Sequence, residues 1–209
     1  MAVIPRALVK ILDDWADRGT APPANAYPQT QDKTLVSVAE YRKQFPKITG
    51  LDPPTVINEL VALDFGPSFG PTGGVQSLNP RALARSNGRR YGILVPRPGP
   101  NGDAVAGVDA IWTRAPIGTN VGWNMQNEPR RPDLCGLEGS YVPLAKTKAE
   151  RLENGDSRPS LQERYKNHEG FVNAVKQAAQ QLVSERFLLQ EDANILIKAA
   201  EDSDVLKMK

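Results

Sequence analysis

Sixteen of the eighteen prolines in this 209-residue chain fall between residues 20 and 144, together with most of its glycines. Proline lacks a backbone donor and clashes with the preceding helical turn, and glycine weakens both helices and strands. A segment punctuated at that density excludes long helices and broad ladders and must fold as short strands, turns and ordered loops. The nearly proline-free flanks are left to carry the helices. The chain is therefore read as one α+β unit with three sub-regions: a helix in 1–19, short strands and loops over 20–144, and a helical region over 145–209.

Apolar residues at helical spacing, Leu8, Ile11, Leu12 and Trp15, predict an amphipathic helix over 3–18, stopped by Gly19 and Pro22-Pro23. In the central stretch, the β-prone runs 91–95 and 104–108 flank Asn101-Gly102 and predict a hairpin, which a third run at 110–113 would extend. A short helix is expected over 145–153, ended by Asn154-Gly155-Asp156. Ser160 and Glu163 then form a capping box, in which serine and glutamate satisfy the first free amides reciprocally. It should open a long helix whose face carries Tyr165, Val172, Val175, Ala179, Leu182 and Val183, running to about Phe187. A last short helix is expected over 191–200.

Charge and cysteine content exclude more than they assign. Lysine and arginine number 26 against 24 aspartates and glutamates, a net charge of +2, far from the basic excess used to bind nucleic acid or an anionic membrane. The single cysteine, Cys135, cannot form an internal disulfide and has no zinc-ligand neighbours. With Met1 taken as the start, the charges Lys10, Asp13, Asp14 and Asp17 interrupt any signal-peptide pattern, and no window reaches a membrane span of ~18 apolar residues. The expectation is a soluble, cytoplasmic product.

Gly66-Pro67-Ser68-Phe69-Gly70 matches the G-x-S-x-G formula of a hydrolase nucleophile elbow. That device needs a strand before the serine and a helix directly after it, so that the hydroxyl sits on a strained turn beside helix-end amides. Pro71, Gly73 and Gly74 cannot open such a helix, so Ser68 is not assigned as a nucleophile. The only histidine, His168, has charged helical neighbours in Glu163 and Glu169 and reads as an exposed surface residue. Cys135, near Arg130 and Arg131, reads as a small buried apolar side chain rather than a thiolate. The cluster Arg81, Arg85, Arg89 and Arg90 could meet phosphates, but Asn79-Pro80 and Asn87-Gly88 favour a solvated loop. Asp13, Asp14 and Asp17 spread around a helix rim without a metal-ligand pattern. No catalytic, cofactor-binding or metal-binding residue is assigned.

Several stretches, in order, resemble one family. They are 7–15 leading to Gly19-Thr-Ala-Pro-Pro23 and Tyr27-Pro28; Gly92-Ile-Leu-Val-Pro96 with Asp103-Ala-Val-Ala-Gly107; Thr119-Asn-Val-Gly-Trp-Asn124; Gly136-Leu-Glu-Gly-Ser-Tyr-Val-Pro143; and 145–189, with Arg158-Pro-Ser-Leu-Gln-Glu-Arg-Tyr165 and Ser184-Glu-Arg-Phe-Leu-Leu189. The chain resembles the C-terminal part of the alpha/beta hydrolase domain-containing proteins of bacteria. The resemblance implies that the serine, acid and histidine of such an esterase-like protein precede the helix at 3–18, so that no catalytic residue carries over to this chain. It implies an accessory portion, split or truncated and inactive alone, which completes the sheet face or covers the cleft of a hydrolase. The implied partner is an upstream catalytic half of the same protein, or a second copy through self-association. A stand-alone, non-catalytic interaction module docking on a separate catalytic half is the alternative, and a small serine hydrolase using Ser68 and His168 is a third.

Overall fold

The computed structural model describes residues 3–55, 57, 59–64, 85–124 and 139–207. It is a mixed α+β structure in which the helices lie in the flanks and the strands are short and antiparallel. The first helix, α1, spans Val3–Arg18, as its apolar spacing predicts, with Pro5 in the first turn, where a missing donor is harmless. Gly19, at φ 67, ends it, donating its N–H to the Trp15 carbonyl oxygen at 3.1 Å.

Strand β1 (Leu35–Ser37) runs straight into α2 (Val38–Gln44), which Ser37 caps by accepting the Glu40 amide at 3.2 Å. Strands β2 (Val61–Asp64) and β3 (Arg85–Arg90) pair antiparallel with a register shift between Val61 and Leu63. The segment 85–90 is thus a strand, not the solvated loop expected from Asn87-Gly88. Gly88 supplies the φ of 77 that lets the strand carry this dipeptide.

Around Asn101-Gly102 the expected hairpin is reduced to a short antiparallel tip, and the run 91–95 does not pair with 104–108. Strand β4 (Leu94–Pro96) pairs instead with β1, in the register Leu35↔Pro96, Val36↔Val95, Ser37↔Leu94. Pro96, Pro98 and Pro100 offer no donors, which limits pairing across the turn, where Val105 N–H donates to Arg97 O at 3.0 Å. What remains is a tight turn: Gly102 N–H donates to Gly99 O at 2.9 Å, Gly99 N–H to Asp103 O at 2.7 Å, and Pro98 bridges Ala104. Residues 110–113 do not extend a sheet either; Ile111–Arg114 forms the one-turn helix α3.

Strands β5 (Gly118–Val121) and β6 (Ser140–Pro143) make the third ladder, also antiparallel. Helix α4 (Lys148–Glu153) follows, with a capping box of Thr147 and Glu150. The Ser160–Glu163 capping box is present, but the helix it opens, α5 (Leu161–Tyr165), is only five residues long. Lys166, at φ 66, turns the chain out of α5, and Asn167 caps a new helix, α6 (His168–Ser184), by accepting the Gly170 amide at 2.9 Å. The expected long helix is therefore two. Helix α7 (Gln190–Asp202) closes the chain and packs along α6.

Three apolar clusters hold these elements. Val172, Val175, Phe171, Tyr165, Leu161 and Leu144 form one between α5, α6 and the end of β6. Ala179, Leu182, Leu188 and Ala193 form a second, into which α1 inserts Val3. Phe45, Ile48, Leu51 and Val121 form a third under α2, covered by Tyr41 and Trp123. Burying a leucine- or phenylalanine-sized side chain contributes roughly 1.5–3 kcal/mol, so the α6 stripe of Phe171, Val172, Val175 and Leu182 is a substantial source of stability.

Candidate functional site

Among the described residues, those that sequence patterns single out for chemistry are not gathered together. Ser68, Cys135 and Arg81 lie outside the described residues. His168 is not a free surface side chain: it is half-buried, with Nδ1 2.7 Å from the Val205 carbonyl oxygen and Nε2 3.2 Å from that of Glu201. Both ring nitrogens thus face backbone carbonyls, and the ring clasps the start of α6 to the end of α7. A general base needs one nitrogen directed at substrate and the other at an orienting group, which this arrangement does not provide. Arg89 and Arg90 are exposed on β3, and Arg90 pairs with Glu59. Asp13 and Asp14 both meet Lys10, and Asp14 also accepts from Arg18 at 3.1 Å. The Lys10 hydrogen bond holds the Asp14 carboxyl below its ordinary pKa. Among the described residues no group of three or more His, Cys, Asp and Glu is placed to hold a metal ion. None of the helices there is long and apolar enough to cross a membrane.

Helix α1 presents two apolar stripes, and only one is used. Val3, Ala7 and Ile11, spaced four residues apart, are buried, Val3 against Ala179, Leu182, Leu188 and Ala193 of the α6–α7 cluster. Arg6 fixes the docking by pairing with the wholly buried Asp192 and with Glu191 at 3.3 Å. The neighbouring stripe is open: Leu8 is 46 % exposed, Leu12 59 % and Trp15 55 %. Exposed single apolar residues are ordinary, but three on adjacent turns of one helix make a contiguous patch of the kind that marks an interface.

A second feature lies where α2, the 96–109 turn, α3 and β5 meet. Trp123 stands edge-on to Tyr41 at 6.2 Å and tilted against Phe45 at 5.6 Å, and its indole N–H donates to the Asp52 carbonyl oxygen at 3.2 Å. On one side of the Tyr41–Trp123 wall is a cavity of about 360 Å³, lined by Asp103, Asp109, Trp112 and Asn120. On the other is an apolar one of about 480 Å³, lined by Val38, Pro53, Pro54, Ile57 and Ile93. Tyr41, Pro96, Gly122 and Trp123 line both. Burial pushes the Asp103 carboxyl up to about 6; the Asn120 amide it accepts pulls the other way, and the Asp109 charge adds to the rise. Its Oδ2 is enclosed and has no hydrogen-bond partner.

The turn carrying Asp103 is held rigidly. Gly102 has φ 87, and any Cβ there would press on Thr119 and the Phe45 ring at 3.1–3.2 Å, so only glycine fits on both counts. The Asn101 carbonyl accepts the Thr119 hydroxyl, and the Asn101 side chain accepts from Arg164. Behind it lies Arg158, wholly buried. Its guanidinium donates to Thr119 Oγ1 at 2.8 Å, to the carbonyls of Val142 and Pro143 at 3.0 and 3.1 Å, and to Asp156 Oδ2 at 2.6 Å. Desolvation alone would raise the Asp156 pKa, but the Arg158 hydrogen bonds outweigh it and the net shift is downward. Sequence reasoning passes over Arg158 and Asp103. Each becomes distinctive only through partners far along the chain, and the sole local signal was the Asn101-Gly102 turn beside Asp103.

A family model described as "Alpha/beta hydrolase domain" matches residues 1–198. No curated protein and no solved structure matches the chain.

Proposed function

We propose, from the premise that this chain belongs to the alpha/beta hydrolase domain family, that residues 1–209 act as the non-catalytic C-terminal portion of an esterase-like hydrolase. In this reading α1 is the helix that seats on the hydrolase sheet, and the sheet and the acyl-transfer residues come from hydrolase sequence outside 1–209. The observation that carries it is the open stripe of Leu8, Leu12 and Trp15 on a helix whose other face is already docked. An amphipathic helix with a second apolar stripe is built to be covered on two sides. Two further facts support it: every strand pair among the described residues is antiparallel, whereas helices of a hydrolase core pack on a parallel sheet, and His168 is engaged with backbone carbonyls.

The test is hydrolysis of p-nitrophenyl butyrate by purified 1–209. Acyl transfer needs a serine hydrogen-bonded to a base, with oxyanion donors about 3 Å from the reacting oxygen. The expected rate is that of buffer, unchanged by Ser68→Ala or His168→Ala. Removing a member of a working triad lowers turnover by several orders of magnitude, so the margin is wide. Turnover above background that disappears in Ser68→Ala would overturn the proposal and leave an independent serine hydrolase.

A further inference from the structure

We propose that the paired cavities on either side of the Tyr41–Trp123 wall are one binding site for a small amphipathic amine, the apolar body lying among Pro53, Pro54 and Ile93 and the ammonium facing Asp109 and Asp103. The site stands apart from α1 and from any sheet packed on it. Three observations carry it. The two cavities adjoin through four shared residues, and each falls in the size range of small-molecule pockets. Their linings are opposite in character: one is walled by proline, valine and isoleucine, the other by two carboxylates among aromatic rings. Among the described residues, no lysine or arginine lines the carboxylate side.

The charges around the site favour a cation over an anion or a neutral polyol. Arg42, the one cationic residue among those described on the apolar side, spends its guanidinium on the carbonyls of Pro54, at 2.6 and 3.0 Å, and Thr55, at 2.8 Å. Arg158 is consumed by Asp156, Thr119 and β6, and Arg164 donates to Asn101. The charges of both also act on Asp103, though burial outweighs them, and Arg164 Nε is enclosed without a hydrogen-bond partner. A half-buried carboxylate with one enclosed, unsatisfied oxygen is costly, and positive charge entering the adjacent space relieves that cost. Trp112, 48 % exposed at the rim, together with Trp123 and Tyr41, supplies electron-rich rings for the same charge. The turn bearing Asp103 is fixed by Gly102, Asn101 and Thr119, so the carboxylate is in position before a ligand arrives.

The probe is 4-phenylbutylamine, titrated into residues 1–209 by calorimetry at pH 8, with 4-phenylbutan-1-ol as its uncharged match. The amine is expected to bind saturably with one site, and the alcohol roughly fivefold or more weakly. Asp109→Asn should weaken the amine by a similar factor without altering binding of the alcohol, and Trp112→Ala should weaken it roughly two- to fivefold. Lowering the pH from 8 to 5 protonates Asp103 and should weaken binding in the same direction. Far-UV circular dichroism of each variant separates lost binding from lost folding, and Asp109, only half-buried, can be neutralised without opening the core. Trp15→Phe should bind like the parent chain. Absence of saturable amine binding, equal binding of the alcohol, insensitivity to Asp109→Asn, or loss of binding in Trp15→Phe would each overturn the site.

Discussion

Glu163 serves two structures at once. Its carboxylate accepts the Ser160 amide at 2.9 Å and hydroxyl at 2.8 Å, and receives the Arg151 guanidinium at 2.6 and 3.0 Å. The Arg151 hydrogen bond foremost, then the Ser160 amide, hold its pKa down to about 2. A depressed folded-state pKa contributes stability that is present above the unfolded value, ordinarily about 4.3, and is lost as pH falls through the folded value. The thermal midpoint should therefore fall as pH drops from about 4 toward 2 more steeply in the parent than in Glu163→Gln, which a melting series in acid would measure; parallel curves would show that the box is not formed. Arg158 is the other residue on which much depends. Arg158→Met leaves Asp156 without its partner and the carbonyls of Val142 and Pro143 without their donor, and breaking a largely buried pair costs on the order of 3 kcal/mol. Asp156→Asn added to it should restore part of that loss, readable in urea midpoints.

At the scale of elements, what the sequence revealed was local chemistry. The Ser160 box, the α1 stripe and the Gly155 stop all depend on residues within one or two turns, and each is present. Ser160→Ala should lower stability by about 1 kcal/mol, the usual loss for a cap. Strand partners were not legible, because β1 and β4 meet across more than fifty residues and the alternating prolines that shorten the hairpin do not say which strand pairs with 94–96. The break between α5 and α6 hid for a similar reason. Asn167 and Gly170 read as ordinary interior residues until one sees that a Cβ on Gly170 would collide with the Tyr165 carbonyl oxygen. Helix propensity alone favours Gly170→Ala by about 1 kcal/mol, whereas overpacking of this kind costs roughly 1–3 kcal/mol. The variant should therefore be less stable in urea; a stabilised one would mean that the α5–α6 junction is looser than described.

For the whole molecule, the open side of α1 predicts behaviour that depends on concentration. Sedimentation velocity on residues 1–209 should show association growing with protein concentration, abolished by Leu12→Glu, while Trp15 fluorescence stays accessible to iodide in dilute solution. A monomer at all concentrations with Trp15 shielded would remove the argument for a covering surface. The mixed α+β class was legible from where the prolines fall, but the paired cavities were not, since α2, the 96–109 turn and β5 are joined only by tertiary contact. The guanidinium of Arg158 also sets an order of events. Its bonds to Asp156 are local, but those to Thr119, Val142 and Pro143 cannot reward the chain until β5 and β6 are already paired. An interaction absent from the transition state slows unfolding without speeding folding. Arg158→Met should thus leave the refolding rate nearly unchanged and accelerate unfolding on the order of a hundredfold, making this arginine the latch that determines how long the folded state persists.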